Sequence, residues 1–435
     1  MMSSAQGNLN FSFVISEKEG SVRWKGVQEL VLGRDFRMLY ERLERYCVRS
    51  LSPREVDLIV LSAALAIADR FSLRRLAHRW ERAISLNIPV HDLDFWRDRQ
   101  LQLSLTETLR YLTGDNWHLK FRARRESDAH ALQLPLLSLP ALESPIIPFS
   151  GGIDSFVMMQ TSGEHSNHPP ILLCATSNTR VKAVVARLSE FVGGRNRTID
   201  IPFNIGKIRP AEPSYRTRTF IFFSLAALAS SMMGSNCVLI GENGQGALGP
   251  SFATWGGEHP YRGTHPGFTA RLSSFLTKVL EVPIRFEHPY VLMTKAEALK
   301  KVVHTYGSRG LDLTHSCSVN IGRIKGEGHP SLCGTCSGCI LRRLAFHEVT
   351  RTHPISREQY FWDDLSAESL RASNPRGCPP SKNDDDIART AVLNHRYLAE
   401  KASAPSGDPA FNRVAFEVSE AQGTSIDSAL GPAQE

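Results

Sequence analysis

Two short stretches of this chain carry residue types that could do chemistry. The first is Phe149-Ser150-Gly151-Gly152-Ile153-Asp154-Ser155, which follows an apolar run and precedes a helical one. Paired glycines let a backbone come close to phosphate oxygens, successive N–H groups form an anion-binding nest, and the start of a helix adds its dipole. Ser150 and Ser155 offer hydroxyl donors to the same oxygens. Asp154 cannot bind an anion directly, so beside a phosphate its work would be to hold Mg²⁺ or to orient the loop. The bland alternative is an ordinary glycine-rich corner between a strand and a helix. No GxxxxGK[ST] kinase loop occurs anywhere in the chain.

The second stretch is Cys317 followed by Cys333-Gly334-Thr335-Cys336-Ser337-Gly338-Cys339. Four thiolates can close a tetrahedral shell around Zn²⁺ at roughly 2.3 Å each, and a filled shell leaves no position for a catalytic water. Such a zinc is structural. A redox CxxC pair or chance clustering would be the alternatives, but Gly334 and Gly338 suit the tight turns of a metal knuckle. The other cysteines, Cys47, Cys174, Cys237 and Cys378, are scattered. Cys174 and Cys237 sit in apolar runs, where a free cysteine behaves as a small hydrophobe.

The elements that must position these residues show a change of pattern along the chain. Residues 1–126 read as an α+β accessory unit, with an alternating strand at Asn10–Ile15 and later strands near Ile88–Val90 and His118–Phe121. Between them Ser52-Pro53-Arg54-Glu55 has the form of a helix start ahead of VDLIVLSAALAIADRF. No catalytic constellation appears there. Trp96, Trp117 and the arginines of FRARRE could line a binding face, but scattered aromatics are more often core and such arginines a solvated strand edge. Residues 127–146 form a Leu/Pro-rich connector whose prolines disfavour helix. From 147 to 348, apolar β-rich runs (the strand into PFSGG, ILLCAT, TIDIPF, CVLIGE) alternate with helical ones such as TRTFIFFSLAALASSMMG. That alternation predicts an α/β fold with a parallel sheet and ligand at the C-terminal ends of its strands. Residues 349–401 read as a helical extension with its main helix at Asp386–Lys401, and 402–435 as a disordered tail.

Taken together, the two motifs resemble the PP-loop ATP-pyrophosphatases, and among them the 7-cyano-7-deazaguanine synthase (QueC) family, over about Ile147–Glu348. That family joins a PP-loop of HUP-like fold to a four-cysteine zinc site of the pattern C…CGxCxxC, followed by arginine, as Arg342-Arg343 follow here. The resemblance implies that Phe149, Ser150, Gly151, Gly152, Asp154, Ser155, Arg218 and Gly241 bind ATP, with Asp154, Ser150 and Lys295 catalytic and Mg²⁺ and Zn²⁺ as cofactors. Arg218 and Lys295 are then the candidate cations for phosphates or for the carboxylate of 7-carboxy-7-deazaguanine, which is activated as an acyl-adenylate.

Where the synthases have a short acidic-aromatic segment, this chain has Gly241-Glu242-Asn243-Gly244 and a longer insertion reaching Tyr261-Arg262-Gly263-Thr264-His265-Pro266. The R-x-T-H-P string and the added N-terminal unit are similar to QueC-like proteins of bacterial antiphage operons, the Qat system among them. The expectation is therefore an ATP-dependent ligase in antiviral defence that passes the acyl group to an amine on a partner protein. The rivals are a nitrile-forming synthase using ammonia and a non-catalytic nucleotide-binding assembly module. A tRNA thiolase is disfavoured because the clustered thiols are committed to zinc.

Composition bounds these readings without choosing among them. The sequence has no long apolar run and no secretion signal, so a cytoplasmic protein with no membrane partner is expected. A net charge of +7 from 51 basic and 44 acidic residues suits a solvated surface and gives little weight to nucleic acid. A homodimer is compatible with everything above.

Overall fold

In the computed structural model the described residues are 9–17, 26–74, 80–124, 143–176, 178–191, 197–205, 211–252, 257–319, 332–373, 379–403 and 409–423. In chain order the first elements are β1 (Leu9–Ser16), β2 (Gln28–Val31), β3 (Phe36–Met38), α1 (Glu41–Cys47), α2 (Pro53–Phe71), β4 (Arg82–Val90), α3 (Leu93–Arg97), α4 (Arg99–Thr113) and β5 (Asn116–Ala123). Next come β6 (Ile146–Pro148), α5 (Ile153–Thr161), β7 (Ile171–Cys174), α6 (Thr179–Phe191), β8 (Thr198–Asp200), β9 (Phe203–Ile205), α7 (Arg218–Met232) and β10 (Cys237–Leu239). The remainder are α8 (Gly244–Ala247), α9 (Gly249–Phe252), α10 (Pro266–Leu280), β11 (Arg285–Glu287), α11 (Lys295–Tyr306), α12 (Ser337–Thr350), α13 (Leu370–Ser373), α14 (Lys382–Ala402) and α15 (Pro409–Gln422). Most of the connector expected at 127–146 lies outside the described residues.

The second half forms a five-stranded sheet in the order β11-β10-β6-β7-β8 with every pairing parallel. Strand side chains alternate between its faces, and both faces are buried. Ile146, Ile171, Leu173 and Val238 join one core with α2, α7 and α10; Ile147, Leu172, Cys174 and Leu239 join a second with α5, α6, α11 and α12. A two-sided parallel sheet of this kind needs helices on each face, which explains its near-continuous apolar strands. The order reverses at β6, whose neighbours are β7 on one side and β10 on the other. A crevice opens at the C-terminal end of such a switch point.

The N-terminal unit departs from the α+β expectation. Its sheet, β2-β1-β4-β5, is also fully parallel, so the unit is α/β. The expectation failed because the alternation in β5 and the first part of β4 reports which face is buried and not the direction of the neighbouring strand. Pro89 is accommodated because β1 pairs with β4 only as far as Asn87. As expected, Ser52 and Glu55 form a reciprocal cap at the start of α2. Trp96 and Trp117 lie in the core.

Nor does this unit have a core of its own. Phe13, Leu58, Ile84 and Trp96 belong to the same cluster as Phe220, Leu225 and Phe275 from the second half, and β3 pairs antiparallel with β9 across the two units. A buried ionic cluster holds the joint. Arg82, 0% exposed, reaches Asp69 and Asp115, each at 2.6 Å from Nη2. Arg74 adds a 2.7 Å pair to Asp115. Burial alone would raise Asp115, but the Arg82 and Arg74 guanidiniums hold its carboxyl below the usual range. The other oxygen of Asp69 accepts from the Thr217 backbone N–H (2.9 Å) and hydroxyl (3.0 Å), so a carboxylate from α2 caps the start of α7.

The C-terminal end also differs from expectation. The segment 402–435 carries α15, whose Val414, Ala415 and Val418 are buried and whose Phe411 ring lies 4.6 Å from that of Phe252. Its Ala/Ser/Gly/Pro-rich flanks hid an amphipathic stretch. Helix α14 starts at Lys382, ahead of the expected Asp386, because Ser381 and Asp384 form a capping box and Asp384 and Asp385 favour the first turn.

Arg82→Leu is expected to cost about 3–5 kcal/mol, because it leaves two carboxylates buried without their shared cation. Urea unfolding checks this, and a loss under about 1 kcal/mol would contradict the part given to Arg82 in the cluster at the joint.

Candidate functional site

The loop 149–152 lies at the C-terminal end of β6 and leads directly into α5. Gly151 has φ +74°, a conformation open to glycine, and a Cβ there would meet Val184 Cγ1 at 2.7 Å. The loop's amides are held by hydroxyls. Gly152 N donates to Ser150 Oγ (3.3 Å) and Ile153 N to Ser316 Oγ (3.1 Å), while His315 N donates to Gly151 O (2.8 Å). Oxygen atoms therefore stand at the amides of a helix N-terminus, where an anion would sit.

Asp154, in the first turn of α5, gathers the other polar groups. Lys295 Nζ, from the first position of α11, donates to both of its oxygens at 2.5 Å. Asn243 Nδ2 donates to Oδ1 at 2.9 Å, while Asn243 Oδ1 caps α8 through Gly246 N. Glu242 lies beside this pair. Burial, with the Asp154 charge adding to it and Lys295 opposing, pushes its carboxyl up to about 7. Gln245 Oε1 accepts from Lys295 N (3.0 Å), tying the insertion to the start of α11.

The structure thus brings Ser150, Gly151, Gly152, Asp154 and Lys295 together. The other expected site residues are used differently. Phe149 is buried and its N–H donates to Leu173 O. The Ser155 hydroxyl donates back to Gly152 O (3.0 Å) and is spent within the first turn of α5. Gly241 lets β10 approach α5, since a Cβ there would meet Asp154 O at 2.4 Å. Arg218 is exposed, with its guanidinium 5.1 Å from the Phe222 ring. Sequence reasoning did not single out Ser316, and it named Arg342 only as part of the cysteine-arginine pattern and Glu242 and Asn243 only as part of the departing segment; the position of the last two just after an apolar strand was the available signal.

The four clustered cysteines meet as expected. The sulfurs of Cys317, Cys333, Cys336 and Cys339 all lie within 4.8 Å of one another, with Cys333–Cys339 at 3.7 Å and Cys317–Cys336 at 4.0 Å. A tetrahedron of bonds near 2.3 Å has edges of about 3.8 Å, so the set fits a metal ion such as zinc. Cys336 N–H donates to Cys333 Sγ (3.3 Å). Among the described residues this is the only cluster of three or more His, Cys, Asp or Glu ligand atoms. Cys47, Cys174 and Cys237 are thiols pushed up to about 12 by burial, which makes them poor nucleophiles.

One side chain joins the cluster to the loop. Arg342, in α12 and 1% exposed, is paired in a fork to Glu358 and donates to Leu311 O (3.1 Å) and to Ser316 Oγ (3.3 Å), the same hydroxyl that holds Ile153 N. Ser316 precedes Cys317, so the cysteine knuckle and the loop share one strut.

Two outcomes follow. Purified protein is expected to carry one zinc per chain, and Cys336→Ser to lose it with a fall in solubility; elemental analysis finding no zinc, or a fully loaded variant, contradicts this. Glu242 is raised from 4.5 to about 7, so the folded chain binds more protons than the unfolded chain between those values. Stability from this group is complete below about pH 4.5 and lost as pH rises through about 7. In magnesium-free buffer, Glu242→Gln should stabilise by about 1–2 kcal/mol at pH 8, allowing for partial contact with solvent, and by little at pH 5. Melting curves across that range test the sign.

No family model matches the chain, and no curated protein matches it significantly. Among the described residues no helix is long and apolar enough to cross a membrane.

Proposed function

We propose that this chain is an ATP-dependent, acyl-adenylate-forming ligase that activates the carboxylate of a 7-deazaguanine acid and passes the acyl group to an amine. One observation carries this reading. A glycine loop with hydroxyl-held amides, an aspartate and a lysine converge at the C-terminal end of the central strand, where a parallel sheet reverses its order.

Phosphate oxygens of ATP replace the Ser150 and Ser316 hydroxyls at the amides of Gly152 and Ile153. The Lys295 ammonium offsets phosphate charge, and Asn243 keeps Asp154 turned toward the loop. Mg²⁺, held by Asp154 with the phosphates, would supply further charge neutralisation. An oxygen of the acid attacks the α-phosphorus, the bond to the bridging oxygen breaks, and pyrophosphate leaves in line. An amine then displaces AMP. Zinc in the cysteine cluster would have a structural part, holding Ser316 against the loop through Arg342. The resemblance to QueC-like proteins of antiphage operons supports an acceptor amine on a protein encoded beside this one.

With labelled ATP and 7-carboxy-7-deazaguanine, the products are expected to be AMP and pyrophosphate. Asp154→Ala and Lys295→Met should each lower turnover by at least about 100-fold while leaving the zinc in place. ADP and phosphate as products would overturn the reading.

A further inference from the structure

Arg216 is buried without an ion-pair partner among the described residues. It is 8% exposed, yet its Nη1 has no hydrogen-bond partner, and among the described residues no carboxylate lies within ion-pair distance of it. Its guanidinium rests instead against two aromatic rings, 4.8 Å from Trp80 and 5.5 Å from Tyr261. Trp80 also carries Arg74, but that charge is answered by Asp115. A buried cation without a counter-charge costs several kcal/mol unless something supplies the anion.

That cation faces space. Arg216 lines a cavity of about 480 Å³ walled by His259 and Tyr261 of the insertion, Gln245, Ser337 and His395 of α14. Ser337 opens α12, and its hydroxyl and carbonyl both meet His395 Nε2, at 3.1 and 3.0 Å. The only carboxylate on the lining, Glu258, is exposed. Gln245 is shared with the phosphate side, since it also holds Lys295 N. The volume suits a small heterocycle, and aromatic walls beside a planar fork suit a flat acid.

We propose that this cavity binds the acid to be activated and that Arg216 receives its carboxylate, an inference that rests on the ligase reading above. The insertion and the C-terminal extension then have a task at the site, because they build the pocket's walls. Arg216 is a substrate-binding residue, while Arg218, two positions on and exposed, is not.

Binding without ATP separates this from the adenylation itself. In calorimetric titration of the full-length, zinc-loaded protein with 7-carboxy-7-deazaguanine, the wild type is expected to bind and Arg216→Met to bind at least tenfold more weakly. Arg216→Met should melt no lower than wild type, since a buried unpaired charge has gone; a merely structural arginine would give a lower melting point. Thr390→Trp, which fills the cavity from an exposed position on α14, should weaken binding equally with the fold undisturbed. The neutral carboxamide should bind the wild type no better than Arg216→Met binds the acid. No binding by the wild type, or unchanged binding in both variants, overturns the proposal. Arg216-dependent binding without release of AMP and pyrophosphate would sustain this pocket and sink the ligase reading.

Discussion

The carboxylate of Asp69 is the joint on which the rest of the architecture depends. One of its oxygens takes the buried Arg82 at 2.6 Å, and the other takes both the N–H and the hydroxyl of Thr217. Three elements are fixed by it: α2, β4 and the start of α7. An exposed ion pair would do this weakly, but here the desolvation cost has been met by multiple hydrogen bonds, which makes the arrangement specific. Arg216 immediately precedes Thr217. The orientation of α7, and with it the place of Arg216 and its cavity, therefore follows from a cluster formed mainly in the N-terminal unit.

A second joint holds the opposite side. The Cys333–Cys339 knuckle opens α12, and Arg342 on that helix reaches back through Ser316 to Ile153 N. The loop at β6 is thus pinned from the cysteine cluster, while α7 is pinned from the N-terminal unit. Between them stands the insertion, whose Asn243 and Gln245 touch Asp154 and Lys295. Small shifts in either clamp would reach the same few side chains, since packed cores transmit displacement with little compliance.

Much of this was legible in the sequence and some was not, for identifiable reasons. The β6 loop and the four cysteines stood out because their chemistry is local: adjacent glycines and closely spaced thiols declare themselves in a few residues. Helix α10 was not read in advance, although Phe268, Leu272, Phe275, Leu276 and Val279 lie on one stripe and Pro266 stands at its start. The parallel pairing of the N-terminal sheet was not legible, because strand alternation reports which face is buried and says nothing of a neighbour's direction. Arg216 was beyond reach for a further reason. An arginine with no counter-ion reads in sequence as an ordinary surface charge, and only burial against Trp80 and Tyr261 sets it apart from Arg218.

The charges of the site divide into two poles. Asp154 and Glu242 stand together against Lys295, and the crowding of two carboxylates shows in Glu242, which burial and the Asp154 charge hold protonated to about pH 7. With Glu242 protonated, Asp154 and Lys295 cancel and leave no surplus positive charge for phosphates, and above about pH 7 the balance turns negative, so an added cation is required for them to stay, which is the ordinary condition of a Mg²⁺–phosphate site. The other pole is Arg216, a buried cation with no carboxylate within ion-pair distance among the described residues, Glu258 and Asp69 acting on it only from farther away. The two deficits are opposite in sign. A reaction that joins a bound acid to a nucleotide phosphate would complete both at once, with Gln245 on the boundary between them.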